Sequence, residues 1–356
     1  MPVAMPLGRE SIDARCPTFA SPLPPGRLVW PMSHGCRRAL PSANLAPVTT
    51  PEIERPATGR APVLARWGPA VVWLTFPLTV APAIGDGLAG RSHAVQLVVE
   101  AGAWILWTLA LAASLHASTA SLTALRTIVP ASVVAAAWAA LASGDGSATT
   151  QSVALGMSAL ATVLVLSPQV GHAFINGSSY GDETRWPLRA PAAVLFGPLE
   201  LVWAAMVASI AAGPLLLATR QWIAGAIVSA VGAVVLVAGA RILHQLGRRW
   251  FVFVPAGCVV VDRTTLADSL LVQRRDLVSI GPARDDDDAA DLTAGAAGLA
   301  LRVELREPDL IIPMPARRDR HRTIVPVEVG AVRFTPTRPG AVLAEARARR
   351  VRVVSE

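Results

Sequence analysis

The stretch ARILHQLGRRWFVFVPAG, residues 240–257, joins the end of a long apolar segment to a run of Trp, Phe and Val. The apolar segment, residues 221–244, has about the length that a helix needs to cross the ~30 Å hydrocarbon core of a bilayer. The second part has the aromatic and β-branched composition of a strand, and Pro255 and Gly257 at its end favour a turn. The stretch therefore predicts that a membrane helix passes directly into a β-domain.

The residues before this stretch are apolar enough to lie in lipid. Of the 356 residues, 53% are hydrophobic and only 16% are charged, which is more apolar than the average soluble protein. The apolar residues form six segments of about 20 residues, the length of a membrane span. These segments are residues 67–85, 95–115, 122–142, 151–171, 191–213 and 221–244. Because Pro69, Pro77 and Pro82 interrupt the first segment, we expect it to be a kinked span.

The residues after Trp250 have the alternating pattern of short strands. Six or seven strands are predicted, followed by a helix in RPGAVLAEARARR. The predicted strands lie in the runs RWFVFVPAG, CVVVD, SLLVQ, DLVSIGP, AGLALRVEL, LIIPM and TIVPVEVGAVRFTP. The predicted fold class is an α-helical transmembrane bundle of about six spans plus a small C-terminal, mainly-β domain with one terminal helix.

Three regions follow from these patterns. Residues 1–62 are rich in Pro and Arg and have no helical or strand period, so they are predicted to be a disordered tail. Residues 63–246 are the predicted six-span domain, and residues 247–356 the predicted β-rich domain.

Arginine is distributed unevenly along the chain, and this predicts an orientation. The sequence contains no Lys, which is typical of a GC-rich bacterial genome. Arginines are frequent in the N-terminal tail and at the exit of the last segment, where Arg241, Arg248 and Arg249 lie, whereas the loop SGDGSATT has none. By the positive-inside rule we expect a multi-pass protein of the bacterial plasma membrane with both termini in the cytoplasm.

Charge and motifs exclude several classes of function. Residues 250–356 hold 16 Arg against 15 Asp and Glu, so no basic face for nucleic acid is predicted. Cys16, Cys36 and Cys258 have no spacing typical of a metal site or a disulfide framework. There is no P-loop, dinucleotide fingerprint, nucleophile elbow or HExxH motif. We therefore predict no cofactor, no metal and no catalytic residue, although a membrane-embedded enzyme stays open.

Two carboxylates lie inside apolar segments, where an ionisable group is costly unless it is paired or faces water. Glu200 is about nine residues from the end of its segment, and Glu100 is about five residues deep. Arg241 or His244 of the last span is the nearest partner that we expect for Glu200. The functional interpretation is a proton or cation relay or a substrate contact. The structural interpretation is a Glu that fixes helix register or extends to the interface.

Small residues form one stripe of the last span. Gly225, Ser229, Gly232 and Gly239 lie at helical spacing, and small residues let helix backbones approach closely. The stripe is predicted to be a packing seam, either within the bundle or between the subunits of an oligomer.

The junction sequence also resembles a known type of domain. Two apolar spans followed by RRWFVFVPAGCVVVDRTTLADSLLVQRRDLVSI resemble the membrane-tethered pleckstrin-homology-like domains of bacteria. The resemblance covers about residues 245–350 and implies a half-open barrel of about seven strands closed by one C-terminal helix. The Asp-rich run RDDDDAAD departs from it, and no basic loop for phosphoinositides stands out, so head-group binding is not implied. The whole chain looks like uncharacterised actinobacterial multi-pass membrane proteins.

Two functions are consistent with this organisation. The first is an integral inner-membrane scaffold or accessory module whose cytoplasmic β-domain docks a protein partner or the membrane surface. The alternative is a small transporter or channel that uses Glu200 at mid-membrane. The expected partners are the lipid bilayer and a protein at the β-domain.

Overall fold

The computed structural model describes residues 60–144, 146–284, 288–314 and 325–354, with side chains from residue 63 onward. The predicted disordered tail, residues 1–62, lies almost wholly outside the described residues. The helices of the described ranges are α1 (Arg60–Leu74), α2 (Phe76–Thr79), α3 (Ala81–Leu88), α4 (His93–Leu115), α5 (Thr119–Ala142), α6 (Ala148–Leu166), α7 (Pro168–Asn176), α8 (Ala192–Leu195), α9 (Pro198–Ala218), α10 (Trp222–Gly247) and α11 (Pro339–Ala348).

Five helical segments in the described part of the chain are long and apolar enough to cross a membrane. They are His93–Leu115, Thr119–Ala142, Ala148–Leu166, Ala192–Ala218 and Trp222–Gly247. The predicted segments at residues 95–115, 122–142 and 221–244 agree with α4, α5 and α10 to within three residues at either end. This confirms the prediction of an α-helical membrane bundle followed by a β-domain.

The first predicted span is a broken helix. It consists of α1, α2 and α3, and Pro69 lies inside α1 while Pro77 and Pro82 lie in the first turns of α2 and α3. Proline cannot donate an amide hydrogen bond and its ring crowds the preceding turn, so a helix bends or restarts there. Trp73 and Trp107 hold the segment against α4, because each indole Nε1 donates to the backbone carbonyl of the other residue, at 2.9 and 3.0 Å.

The helices α9 and α10 form a tightly packed hairpin. The glycines of the α10 stripe are buried on α9 of the same chain: Gly225 lies against Leu217, Gly232 against Ser209 and Gly239 against Met206. On α9, Gly213 faces the backbone of Ser229. The predicted packing seam is therefore within the bundle, and α9 covers the face through which the sequence predicted an oligomer.

The C-terminal domain contains two four-stranded sheets. The strands are β1 (Thr184–Pro187), β2 (Trp250–Val254), β3 (Gly257–Val261), β4 (Leu270–Gln273), β5 (Leu277–Pro282), β6 (Ala290–Asp291), β7 (Leu301–Ile311) and β8 (Val327–Phe334). The sheet orders are β1-β2-β3-β4 and β5-β7-β8-β6, and every pair is antiparallel except β6 with β8. The predicted terminal helix, α11, is present, and five of the predicted runs correspond to β2, β3, β4, β5 and β8. The runs AGLALRVEL and LIIPM, predicted as two strands, both contribute to the single strand β7, and β6 was not predicted.

The two sheets and α11 share one core. Phe251 of β2 stacks on Phe334 of β8 with ring centroids 4.5 Å apart, which joins the sheets. Val342 and Ala346 of α11 are fully buried in the same core. Because strands place alternate side chains on opposite faces, the alternation in the sequence translates directly into this core.

One strand of this domain comes from the middle of the chain. β1 lies between α7 and α8, within residues 63–246 that the sequence assigned to the membrane domain. It pairs with β2, so that Trp186 is opposite Phe251. The chain therefore enters the β-domain twice, once through β1 and once through β2.

We predict that Gly213→Ala destabilises the helical bundle. A Cβ at this position would lie 2.9 Å from Cα and 3.0 Å from the backbone nitrogen of Ser229, so α9 and α10 would have to separate. Overpacking of this kind costs about 1–3 kcal/mol. Thermal unfolding in detergent should show a lower midpoint for this variant. Gly156→Ala in α6 is the matched control, because nothing lies within 4 Å of its added methyl group; equal midpoints for both variants would contradict the prediction.

Candidate functional site

The junction between the helices and the β-domain is built on a buried ion pair. Arg249 is the second residue after α10, and its guanidinium pairs with Asp262 at the end of β3. Nε donates to Oδ1 at 2.8 Å and Nη2 donates to Oδ2 at 2.7 Å, so the contact is bidentate. Both side chains are enclosed, with 1% and 0% of their surface exposed. The second arginine of the sequence GRRW is therefore a structural element of the junction.

Further hydrogen bonds satisfy both members of the pair. Asp262 also accepts from the amide and hydroxyl of Thr264, at 2.9 and 2.6 Å, and from the hydroxyl of Thr265 at 2.9 Å. Nη1 of Arg249 donates to the carbonyl of Arg189 at 2.7 Å. A buried ion pair is tolerated only when its remaining donors and acceptors are bonded in this way. The pair thus links α10, the β3–β4 loop and the chain after β1.

The charged state of Asp262 follows from these contacts. Burial acts to raise the pKa of the carboxyl group, but the hydrogen bonds and positive charge of Arg249 and the hydrogen bonds of Thr264 outweigh it, and the pKa is lowered. Asp262 is therefore ionised at neutral pH.

A second set of contacts fastens α7 to β1. The side chain of Asn176, the last residue of α7, bonds the backbone of Arg185 twice: Oδ1 accepts from its amide and Nδ2 donates to its carbonyl, each at 2.8 Å. The ring of His172 stacks on Trp186 with centroids 4.3 Å apart. The strand β1 is therefore held by α7 on one side and by β2 on the other.

His172 is neutral at this contact. Burial and the positive charge of Arg338 lower the pKa of its imidazole, and a backbone hydrogen bond with Arg185 and the negative charge of Glu345 only partly oppose this. Because the neutral imidazole carries no charge, its burial against Trp186 does not incur the cost of desolvating a charge.

A cavity of about 780 Å³ lies between the helices and the β-domain at this junction. Residues of α5, α9 and α10 form one side, and residues that follow β1 form the other. Its walls are mainly apolar, including Leu122, Ile175, Leu195, Phe196, Trp203 and Leu246. The charged residues at the cavity are Arg126, Arg189, Glu200 and Arg249.

Arg126 is a candidate site residue that the sequence reasoning missed. It is the eighth residue of α5, and its Nε donates to the carbonyl of Val165 at 3.3 Å. Within the ranges that the structure describes, no Asp or Glu pairs with it. The signal was present in the sequence, because a single arginine inside the apolar run TALRTIVP is an intramembrane charge.

Glu200 has a structural role in the observed geometry. Gly197 has φ of 108° and breaks the helical segment, so α9 begins at Pro198 and Glu200 is in its first turn. Its Oε2 accepts a hydrogen bond from the amide of Gly197 at 3.0 Å, which caps the helix. Glu200 is thus not nine residues inside a continuous helix, contrary to what the sequence indicated.

The other predicted site residues are apart from Glu200. Glu100 is exposed and lines a separate apolar cavity of about 320 Å³ between α3, α4 and α5, beside Trp104. Arg241 is exposed and His244 half-buried on α10. Among the described residues, neither forms an ion pair or hydrogen bond with Glu200, so the structure does not bring the predicted partners together.

Metal ligands do not cluster in the described part of the chain. No group of three or more His, Cys, Asp and Glu side chains there could hold a metal ion. Cys258 is buried in the core of the β-domain, and burial raises the pKa of its thiol to about 12. Cys16 and Cys36 lie outside the described residues. The junction cavity is therefore the candidate functional site.

No known family model, curated protein or solved structure matches this chain.

We predict that Asp262→Ala strongly destabilises the junction. The substitution leaves the guanidinium of Arg249 buried without its counter-ion, which costs about 3–5 kcal/mol. Asp288→Ala is the control, because that carboxylate is 91% exposed, lies 3.5 Å from Arg302, and should change stability by less than about 1 kcal/mol. The measurement is denaturant unfolding followed by tryptophan fluorescence. The double variant Arg249→Met with Asp262→Leu should recover part of the loss; a double variant as unstable as Asp262→Ala would argue against the ion-pair explanation.

Acidification should weaken the α7–β1 contact through His172. The folded-state pKa of this imidazole is lowered from its ordinary value of 6.5, so its contribution to stability is complete above that value and is lost as the pH falls through the folded-state pKa. We expect the thermal midpoint to fall between about pH 7 and pH 5, and to fall less in His172→Gln, which cannot become charged. Identical pH profiles for the two proteins would refute this assignment.

Proposed function

We propose that this chain is an integral membrane protein of the bacterial plasma membrane, with both termini in the cytoplasm, that works as a scaffold or accessory module. In this proposal the β-domain docks a protein partner or the membrane surface. The observation that carries it is the junction, where the buried pair of Arg249 and Asp262 and the inserted strand β1 connect the β-domain to the helices.

A rigid junction favours a scaffold over a domain that is merely tethered. Linked domains ordinarily move relative to one another unless their interface is large and well packed. Here two chain segments and a satisfied buried ion pair remove that freedom. A docking face that is already oriented at the membrane loses less entropy when a partner binds, which increases affinity.

The order of elements supports a pleckstrin-homology-like assignment for the β-domain. Two sheets that share one core, antiparallel except for the β6–β8 pair, and one C-terminal helix, α11, agree with the half-open barrel that this resemblance implies. The orientation is supported by the arginines at the exit of α10, which belong on the cytoplasmic side by the positive-inside rule.

The docking face that we propose is an apolar rib at the end of β7. Leu310 is in β7, Ile312 and Met314 follow its end, and all three side chains are exposed. Exposed apolar patches of this kind often mark interaction sites. Ile312 accepts at 2.8 Å from the amide of Ala267, and the amide of Met314 donates at 2.8 Å to Thr265. Since Thr265 also bonds Asp262, the rib is fastened to the junction.

The transporter or channel alternative stays a prediction. Glu200 caps the first turn of α9 and has no ion pair with Arg241 or His244 among the described residues, so no specific contact favours a relay through it.

A photo-crosslinking residue in place of Ile312, in the full chain and in native membranes, tests the proposed docking face. We expect adducts at Ile312, either with a protein of defined mass or with lipid, and the product distinguishes the two kinds of docking. Tyr180 is the matched position, because it is 91% exposed and lies outside the rib, in the connection between α7 and β1. Adduct yields at Ile312 that do not exceed those at Tyr180 would count against docking through the rib.

A further inference from the structure

We propose that the junction cavity binds one anionic phospholipid, with its head group at Arg126 and Arg189 and an acyl chain along the apolar walls. This inference goes beyond the proposed scaffold function and does not depend on a partner for the β-domain. It rests on the charge balance of the cavity, on its shape and on its position.

Among the residues that the structure describes, Arg126 has no counter-ion at the cavity. Arg249 also lines the cavity, but Asp262 neutralises it. Glu200 is the carboxylate at the wall, and it bonds the amide of Gly197. Arg189 is exposed and its Nη1 donates to the carbonyl of Ala297 at 3.3 Å. With two uncompensated arginines against one glutamate, the described charges at the cavity favour an anion.

The guanidinium of Arg126 is free to bind an oxygen anion. Its Nε donates to the carbonyl of Val165, so among the described residues the donors on both Nη atoms are left for a ligand. Nη2 lies against α7 at Gly171, where a Cβ would be only 2.8 Å away, so the glycine makes room for the guanidinium. Arginine binds phosphate oxygens through paired N–H groups, and this geometry matches a phosphodiester head group.

Arg126 lies toward the end of α5 that is next to the β-domain. It is seven residues from the start of α5, or about 10 Å along the helix axis. This end of α5 faces the β-domain, because Gly247 at the end of α10 lies beside Thr119 and Thr123. Basic pockets between membrane helices at this depth are typical sites for anionic lipid head groups.

The walls of the cavity indicate an amphiphile and not a small soluble anion. The volume of about 780 Å³ is within the range of about 300–1,000 Å³ that is usual for ligand pockets. Most lining residues are apolar, and Phe196, which is 74% exposed, lies at the break before α9. A free phosphate would leave these apolar walls unused, whereas an acyl chain would cover them.

The experiment measures lipid binding to the full-length protein in nanodiscs of phosphatidylcholine with added phosphatidylglycerol. Native mass spectrometry should detect one bound phosphatidylglycerol per chain. In Arg126→Gln, binding should weaken by at least about tenfold, the effect of losing a charge-assisted hydrogen bond. Arg241→Gln is the matched control, because Arg241 is an exposed arginine of α10 that does not line the cavity; its binding should equal that of the wild type.

A second variant separates the site from the stability of the fold. Leu243 lines the cavity, so the larger indole of Leu243→Trp would occupy the space of the acyl chain while Arg126 is unchanged. This variant should therefore also lose the lipid while the protein stays folded. The proposal is overturned if phosphatidylcholine binds as well as phosphatidylglycerol, or if Arg126→Gln and Arg241→Gln lose equal amounts of lipid. Displacement of the lipid by inorganic phosphate would instead identify a site for soluble anions, and full lipid retention in Leu243→Trp would place the lipid elsewhere.

Discussion

The buried pair of Arg249 and Asp262 is the interaction on which the arrangement of the two parts depends. Desolvating a guanidinium and a carboxylate costs several kcal/mol per ion, and the cost is offset only where every polar atom of the pair finds a partner. In this chain the partners come from Thr264, Thr265 and the carbonyl of Arg189. These groups meet in one arrangement of α10, the β3–β4 loop and the segment after β1. The pair therefore selects one orientation of the β-domain, and β1 and the α7 contacts reinforce it.

The helical part relies on a different physical effect. Helices in a bilayer are already out of water, so the hydrophobic effect does not drive their association. Close packing and hydrogen bonds must hold them together. The glycines of α9 and α10 let the two backbones approach, and reciprocal indole bonds between Trp73 and Trp107 hold the broken first segment. Trp203 of α9 likewise donates to the carbonyl of Thr127 in α5, at 3.0 Å. Loose contact between α9 and α5 elsewhere leaves room for the junction cavity.

Much of the fold could be predicted because the sequence patterns that encode it extend over many residues. Apolar runs of 20 residues and the alternation after Trp250 reflect burial of whole faces, which many residues encode together. The features that escaped prediction depend on few residues. The strand β1 has only four residues, TRWP, and its strand pairing comes from β2 more than 60 residues later. The place of Glu200 in the first turn of α9 was not predicted, because Gly197 breaks the helix inside an apolar run, where hydropathy does not change. At the junction, Asp262 follows Arg249 by 13 residues and is brought to it by the β2–β3 hairpin, so spacing alone could not reveal the pair.

Arg126 and Arg249 show how the surroundings of one residue type decide its role. Both guanidinium groups line the junction cavity. The charge of Arg249 is cancelled inside the protein by Asp262, so its donors are used for structure. The charge of Arg126 has no such partner among the described residues, and a charge in an apolar setting must be balanced by water or by an anion from outside. The same physics that makes Arg249 part of the junction therefore makes Arg126 the residue that we propose binds a lipid head group.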